Sequence, residues 1–220
     1  MIAVVLPTLD TPDALGRVLD ELPPALPAFV VDDGSRTPVE GVRTRPHTFW
    51  LRHPVNRGYG AAQKTGFAAA LAAGASRVVL LHGDGQYGTE ATLALADALD
   101  GADAVLGSRF LSDPDVIPGW RRWGNRGLTA LANLRFHTTF SELHTGARAY
   151  SADALRSLPL PSFSDDFVFD QEMIVHLLRA GRHIVERPVG THYGEGSRSI
   201  SFRRSLRYGL ACVRTITRAG

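Results

Sequence analysis

Phe29-Val30-Val31-Asp32-Asp33-Gly34-Ser35 is the stretch on which the fold turns. A short apolar run ends abruptly in two acids, a glycine and a serine. A run without polar alternation is what a strand covered on both faces requires. The same grammar recurs on either side. Ile2–Leu6 runs into Pro7-Thr8-Leu9-Asp10, and Thr48–Leu51 is followed by Asn56-Arg57-Gly58-Tyr59-Gly60. Val78–Leu81 runs into His82-Gly83-Asp84-Gly85-Gln86, and Ala104–Leu106 into Gly107-Ser108-Arg109. Helical patterns lie between these strands. Asp10 or Thr11 is placed to cap one, with Pro12 in its first turn; Gly58–Ala73 and Thr89–Leu99 are two more. Alternation of this kind predicts an α/β domain, a mostly parallel Rossmann-like sheet sandwiched by helices.

After Gly107 the pattern loosens. Pro114–Gly119 reads as loop, Trp120–Phe136 as a basic helix, Ala147–Tyr150 as a strand, Phe169–Arg179 as a helix and His183–Glu186 as a short strand. Ser199–Ile216 reads as a basic, partly amphipathic helix. No repeat or low-complexity linker divides the chain, so one domain is expected.

Composition narrows the function classes. The 220 residues are 44% hydrophobic and 21% charged, the make-up of an ordinary soluble domain. A net charge of only +2 supplies no global field for nucleic acid. The basic residues are nearly all arginine, Lys64 being the one lysine, and guanidinium suits phosphate. Six arginines lie from Arg198 onward, with no acid after Arg198. The one cysteine, Cys212, excludes an internal disulfide and fits a reducing cytosol. No basic leader precedes Ile2, and no apolar run reaches the length of a membrane span. A cytoplasmic protein is expected.

In an open α/β sheet the ligand lies beyond the carboxyl ends of the strands. Each turn above is weak alone, since Asp-Gly-Ser is also ordinary turn chemistry. Five successive strand ends of ligand-binding type are not weak. A nicotinamide fingerprint is absent, because Pro7-Thr8-Leu9-Asp10 stands where Gly-x-Gly-x-x-Gly should. A Gly-x-x-x-x-Gly-Lys-Ser/Thr phosphate loop is absent too. Phosphates must then meet a metal and arginines.

Val31-Asp32-Asp33-Gly34-Ser35, Asn56-Arg57-Gly58-Tyr59-Gly60, Asp84-Gly85-Gln86, Gly107-Ser108-Arg109, Thr145-Gly146-Ala147-Arg148-Ala149-Tyr150 and Phe169-Asp170-Gln171-Glu172 occur in this order and spacing. The set resembles family 2 glycosyltransferases of the GT-A fold, and within them dolichol-phosphate mannosyltransferases and related polyprenyl-phosphate sugar transferases. The resemblance covers nearly the whole chain. It implies a nucleotide-binding half over 1–110, an acceptor half over 111–197 and a basic C-terminal helix over 198–220. It implies a metal-dependent transfer, with inversion, from a GDP- or UDP-sugar to a lipid phosphate. Pro7, Thr8, Asp10, Asp32, Asp33 and Gly58 would then frame the nucleotide. Asp84, Gln86 and His82 would hold Mg²⁺ or Mn²⁺. Arg109, with Arg121, Arg122 or Arg126, would face phosphate. Asp170 and Glu172 would lie on the helix beside the transferred sugar, and Arg198 would close over the diphosphate.

The sequence departs from the family at two places. The usual Asp-x-Asp reads His82-Gly83-Asp84, so the imidazole either binds Mn²⁺ or stands behind the metal. Asp10-Thr11 replaces a common Asn-Glu, leaving the base open. A hydroxyl acceptor on a glycan, lipid or small molecule is the alternative, and Asp170 is then the general base. A phosphate acceptor needs none. A silent nucleotide-sugar-binding module is the rival of another class. Asp170 and Glu172, two apart, do not share a helix face. Trp120 and Trp123 are expected in packing or at an interface, Cys212 in the core, and Gly194-Glu195-Gly196 in a lid or a plain turn. The C-terminal helix either docks on the domain or lies peripherally on the inner face of a membrane, with Leu206, Leu210 and Val213 at helical spacing.

Overall fold

The computed structural model describes residues 1–113, 119–191 and 202–218; the side chains of residues 120, 121 and 202–204 are outside the description. Seven strands form one sheet: β1 (Ile2–Thr8), β2 (Ala28–Asp32), β3 (Thr48–Arg52), β4 (Arg77–Leu80), β5 (Ala104–Ser108), β6 (Arg148–Ser151) and β7 (Ile184–Pro188). Their order is β3-β2-β1-β4-β6-β5-β7. All pair parallel except β6, which runs antiparallel to both β4 and β5. Every strand expected from the apolar runs is present.

Among the described residues seven helices accompany the sheet: α1 (Pro12–Glu21), α2 (Tyr59–Ala72), α3 (Thr89–Leu93), α4 (Gly119–Phe136), α5 (Ala152–Ser157), α6 (Phe169–Arg179) and α7 (Phe202–Thr217). The helix expected over Thr89–Leu99 is divided. After α3 the chain tightens into a 3-10 stretch, Ala94–Asp100, whose Ala96 carbonyl accepts a hydrogen bond from Arg77 Nη1 at 3.1 Å. α5 was not expected from the sequence. It starts at Ser151, whose Oγ accepts from the Ala154 N–H at 3.1 Å, an ordinary serine N-cap.

Strand side chains alternate between faces, so β1 feeds two cores. Ala3 and Val5 join Phe67, Leu80, Phe169 and Met173 on one side; Val4 and Leu6 join Leu15, Leu19, Val79 and Leu81 on the other. The closest approach is between α2 and β1. A Cβ added at Gly66 would lie 2.3 Å from Val5 Cγ1, so only glycine lets the helix sit at this depth.

The sheet order sets the site. The chain leaves β1 for β2 and β3 on one side, then returns to place β4 on the other. The carboxyl ends of β1 and β4 thus flank a topological switch point, where an open α/β sheet takes its ligand. The two ends are tied by hydrogen bonds from Leu81 N to Val5 O at 3.0 Å and from Gly83 N to Pro7 O at 3.2 Å.

Two glycines test this packing with one substitution. Gly66→Ala is expected to destabilise by about 1–3 kcal/mol through overpacking. Gly127 lies in α4 with nothing within 4 Å of an added Cβ, and Gly127→Ala is expected to stabilise by about 0.5–1 kcal/mol through helix propensity. Denaturant unfolding of both variants checks the opposite signs.

Candidate active site at the strand carboxyl ends

The loop after β2 is built by its own acids. Asp32, 2% exposed, accepts from Ser35 N at 2.8 Å and Val39 N at 3.4 Å and pairs with Arg52. Asp33, 4% exposed, accepts from Arg57 N at 3.0 Å and Gly58 N at 2.9 Å. Its Oδ1 also meets His53 Nδ1 at 2.6 Å, and the other imidazole nitrogen reaches Thr65 Oγ1 at 2.9 Å. Both carboxylates face the protein's own backbone and fix the floor of the crevice. Gly58 adopts φ +110°, and a Cβ there would come within 2.3 Å of the Asp165 carbonyl oxygen. The loop before α2 therefore lies against the loop before α6.

After β1, Thr8 Oγ1 lies 2.9 Å from Thr11 Oγ1, and Pro7 is buried beside it. Asp10 takes a left-handed conformation, φ +54°, donates its N–H to Ser35 Oγ at 2.8 Å and accepts from the Arg36 backbone N–H at 2.8 Å. The β1 and β2 turns thus form one wall.

The turn after β4 lies opposite. Asp84 Oδ1 accepts from the Gln86 N–H at 3.0 Å, and no described residue bonds to Oδ2. Asp84 and Gln86 are half-buried. His82 is wedged edge-on against Tyr59 and Tyr87, with its Nε2 2.7 Å from Tyr59 Oη. Among the described residues no group of three or more His, Cys, Asp or Glu gathers as a metal cage.

Tyr59 joins this turn to α6. Its hydroxyl also donates to Asp170 Oδ2 at 3.3 Å, while Gln63 Nε2 donates to Asp170 Oδ1 at 2.8 Å. Burial, then the Asp170 charge, pushes the Tyr59 phenol well above its usual range, so it remains a donor. Behind Asp170 stands Arg148, 1% exposed, its Nη2 3.7 Å from Asp170 Oδ2. Burial alone would lower the Arg148 guanidinium; the Asp170 charge outweighs it and raises the group above its ordinary value. Glu172 is turned elsewhere: it accepts from Ser164 N at 2.7 Å and secures the loop ahead of α6. As spacing on a helix demands, only Asp170 of this pair joins Tyr59 and His82.

Arg109, after β5, is clamped by a residue the sequence reading passed over. Glu142 is fully buried and accepts from Arg109 N at 2.8 Å, Arg109 Nε at 2.9 Å and Asn125 Nδ2 at 2.8 Å. Glu186 accepts from Ser141 N at 2.7 Å and Glu142 N at 2.8 Å, so two glutamates hold the segment before β6. The missed residues, Tyr59, Gln63, Glu142 and Arg148, carried a usable signal in one case. An arginine inside the apolar strand pattern Ala147-Arg148-Ala149-Tyr150 must be paired if buried. Arg198, the loop at 194–196 and the side chain of Arg121 lie outside the described residues. Trp123, expected in packing or at an interface, is 70% exposed and so is not part of the core; Cys212 is buried, and burial raises its thiol to about 12.

A cavity of about 620 Å³, lined by Asp103, Leu158, His176 and Arg182, lies at the amino ends of β5 and β7, away from these side chains. None of the strand-end side chains described above lines it.

Fold and site together define a sugar transferase of the GT-A type. The chain matches Glycosyl transferase family 2 over residues 3–158 and belongs to that family. It is 28% identical over 199 residues to undecaprenyl-phosphate mannosyltransferase of Micrococcus luteus, covering 86% of this chain and 82% of that one. It is 26% identical over 151 residues to UDP-N-acetylglucosamine–dolichyl-phosphate N-acetylglucosaminyltransferase of Methanococcus voltae, covering 67% and 60%. In fold it is similar to glucosyl-3-phosphoglycerate synthase of Mycobacterium tuberculosis, solved with Mn²⁺, UDP and phosphoglyceric acid: TM-score 0.72, 18% identity, 98% of this chain and 77% of that one.

His144 gives the site a pH signature. It is half-buried, with Nδ1 2.8 Å from Tyr208 Oη and a buried Nε2 that no described residue bonds. Burial, then Arg148 and Arg109, lowers it to about 3. Its folded value lies below its unfolded one, so unfolding takes up a proton between these values. Stability is full above about pH 6.5 and falls as pH drops towards 3, by up to about 1.4 kcal/mol per pH unit. Unfolding free energies from pH 7 to pH 5 should show that slope for the native chain and a flatter one for His144→Gln.

Proposed function

We propose that the chain transfers a sugar from a nucleoside-diphosphate sugar to a polyprenyl phosphate, with inversion, using Mg²⁺ or Mn²⁺. The observation that carries this reading is the joining of the β4 turn to Asp170 through Tyr59, which places a metal-type turn and a fixed carboxylate on one crevice. The relatives named for undecaprenyl and dolichyl phosphate support the acceptor class. The reading gives residues 1–110 to the nucleotide and 111–197 to the acceptor.

The metal donor set fits a hard cation. Asp84 offers an oxygen that no described residue bonds, Gln86 an amide oxygen, and the diphosphate the rest. When bound, such an ion neutralises the charge that develops on the departing nucleoside diphosphate. His82, bonded to Tyr59 through Nε2, braces the turn from behind. The Asp33-built loop and Thr8 frame base and ribose. Asp170 accepts hydrogen bonds only, so it orients sugar hydroxyls while Gln63 and Tyr59 keep it from rotating. An acceptor phosphate oxygen is already anionic and attacks the anomeric carbon as the bond to the diphosphate oxygen breaks; no general base is needed. Arg109, held in its fork by Glu142, faces phosphate.

Thermal-shift titration with nucleoside diphosphates and their sugars, with Mn²⁺, with Mg²⁺ and with chelator, tests this. One nucleotide at a hundred times its Kd should stabilise by about 2.7 kcal/mol, only with metal. Asp84→Ala should lose that increment. Full stabilisation of this variant in chelator would contradict the assignment.

A further inference from the structure

The two basic helices α4 and α7 pack against each other beside the site. Each turns an apolar stripe outward. On α4 the positions Trp123, Gly127, Ala130 and Leu134 recur at helical spacing and are all exposed, Trp123 by 70% and Leu134 by 77%. On α7 the stripe is Leu206, Leu210 and Val213, at 58%, 54% and 36%. The opposite side of α7 is spent on the fold through Tyr208, Cys212 and Ile216. Large side chains left in water at a repeat of three and four on two neighbouring helices are not scattered surface residues.

Charge on these helices is one-sided. They hold eight arginines and no aspartate or glutamate, in a chain whose net charge is only +2. The rest of the chain is therefore net acidic, and the molecule is polarised. Exposed Arg126 and Arg135 flank the α4 stripe, and exposed Arg207 and Arg214 flank that of α7. A second copy of the chain would set arginine against arginine across such a face. A nucleic acid would leave the leucines unused. An anionic lipid surface uses both: acyl chains cover the stripes, and headgroup phosphates meet the arginines.

We propose that the paired faces of α4 and α7 form a platform that seats the enzyme on an anionic bilayer. The proposal rests on the lipid-phosphate reading above and identifies the surface that serves it. The platform is joined to the site. Tyr208 on the inner side of α7 bonds His144, and the His144 carbonyl accepts from Arg109 Nη2 at 2.9 Å. Arg109, to which the proposed function gives the phosphate, thus stands one residue from the docked helix.

The full chain is sedimented with vesicles of phosphatidylcholine alone and of phosphatidylcholine with phosphatidylglycerol, at low and high salt. Binding only to the anionic vesicles, weakened by salt, is expected. The double variant Leu206→Glu, Leu210→Glu and the separate variant Trp123→Ser should each bind roughly tenfold more weakly or worse. Both should keep native transfer to a short, water-soluble prenyl phosphate, which shows that they fold. Native affinity of both variants, or no vesicle binding by a chain that glycosylates the soluble acceptor, overturns the platform and leaves the transferase reading standing. A dimer in light scattering that the glutamates split would also overturn it, in favour of self-association. Vesicle binding that the variants lose, without turnover on any polyprenyl phosphate, supports the platform and sinks the acceptor assignment instead.

Discussion

One buried arginine holds the second half of this fold in place. Arg148 enters the sheet on β6, the antiparallel strand between β4 and β5, where water cannot solvate it. It donates to the carbonyls of Thr145 at 2.8 Å, Asp170 at 3.0 Å and Leu143 at 3.1 Å, and faces the Asp170 carboxylate. A buried guanidinium needs every such partner. Satisfying it therefore fixes the segment 143–145, the start of α6 and the position of Asp170 together. Once those are fixed, Tyr59 and Gln63 have a carboxylate to meet, and α2 is registered against α6.

The same economy governs the other acids near the crevice. Asp32, Asp33, Glu142, Glu172 and Glu186 all accept from backbone N–H groups of nearby loops. Loops at strand ends lack ladder partners, and a carboxylate that takes two or three of their donors makes them rigid. Asp84 and Asp170 differ. Asp84 keeps an oxygen without a described partner, and Asp170 is bonded by the side chains of Tyr59 and the buried Gln63 rather than by loop backbone. Rigidity comes from the first group of acids, and chemistry is left to the second.

Much of this was legible in the chain. Continuous apolar runs leading into turns of Gly, Asp and Ser marked β1, β2, β4 and β5, because a doubly covered parallel sheet leaves no room for polar alternation. The helix over Phe169–Arg179 was visible from its periodicity. What stayed hidden depended on distance between residues far apart in sequence. Nothing local to Glu142 announces that it would close on Arg109, 33 residues away, or that Tyr59 would bridge His82 and Asp170. α5 was signalled by Ser151-Ala152-Asp153, a capping pattern too short to stand out against the strand before it. The tightening at Ala94–Asp100 was set by packing and by Arg77, which propensity does not register.

The account stands on the coupling between Arg148 and Asp170. A double-mutant cycle of unfolding free energies over Arg148→Met, Asp170→Asn and the pair measures it most directly. Each single change should be strongly destabilising, because it leaves a buried partner unpaired, and the pair should cost less than the singles combined by about 1–3 kcal/mol. Additivity within about 0.5 kcal/mol would mean that the two side chains are independent. The site would then not be organised around them.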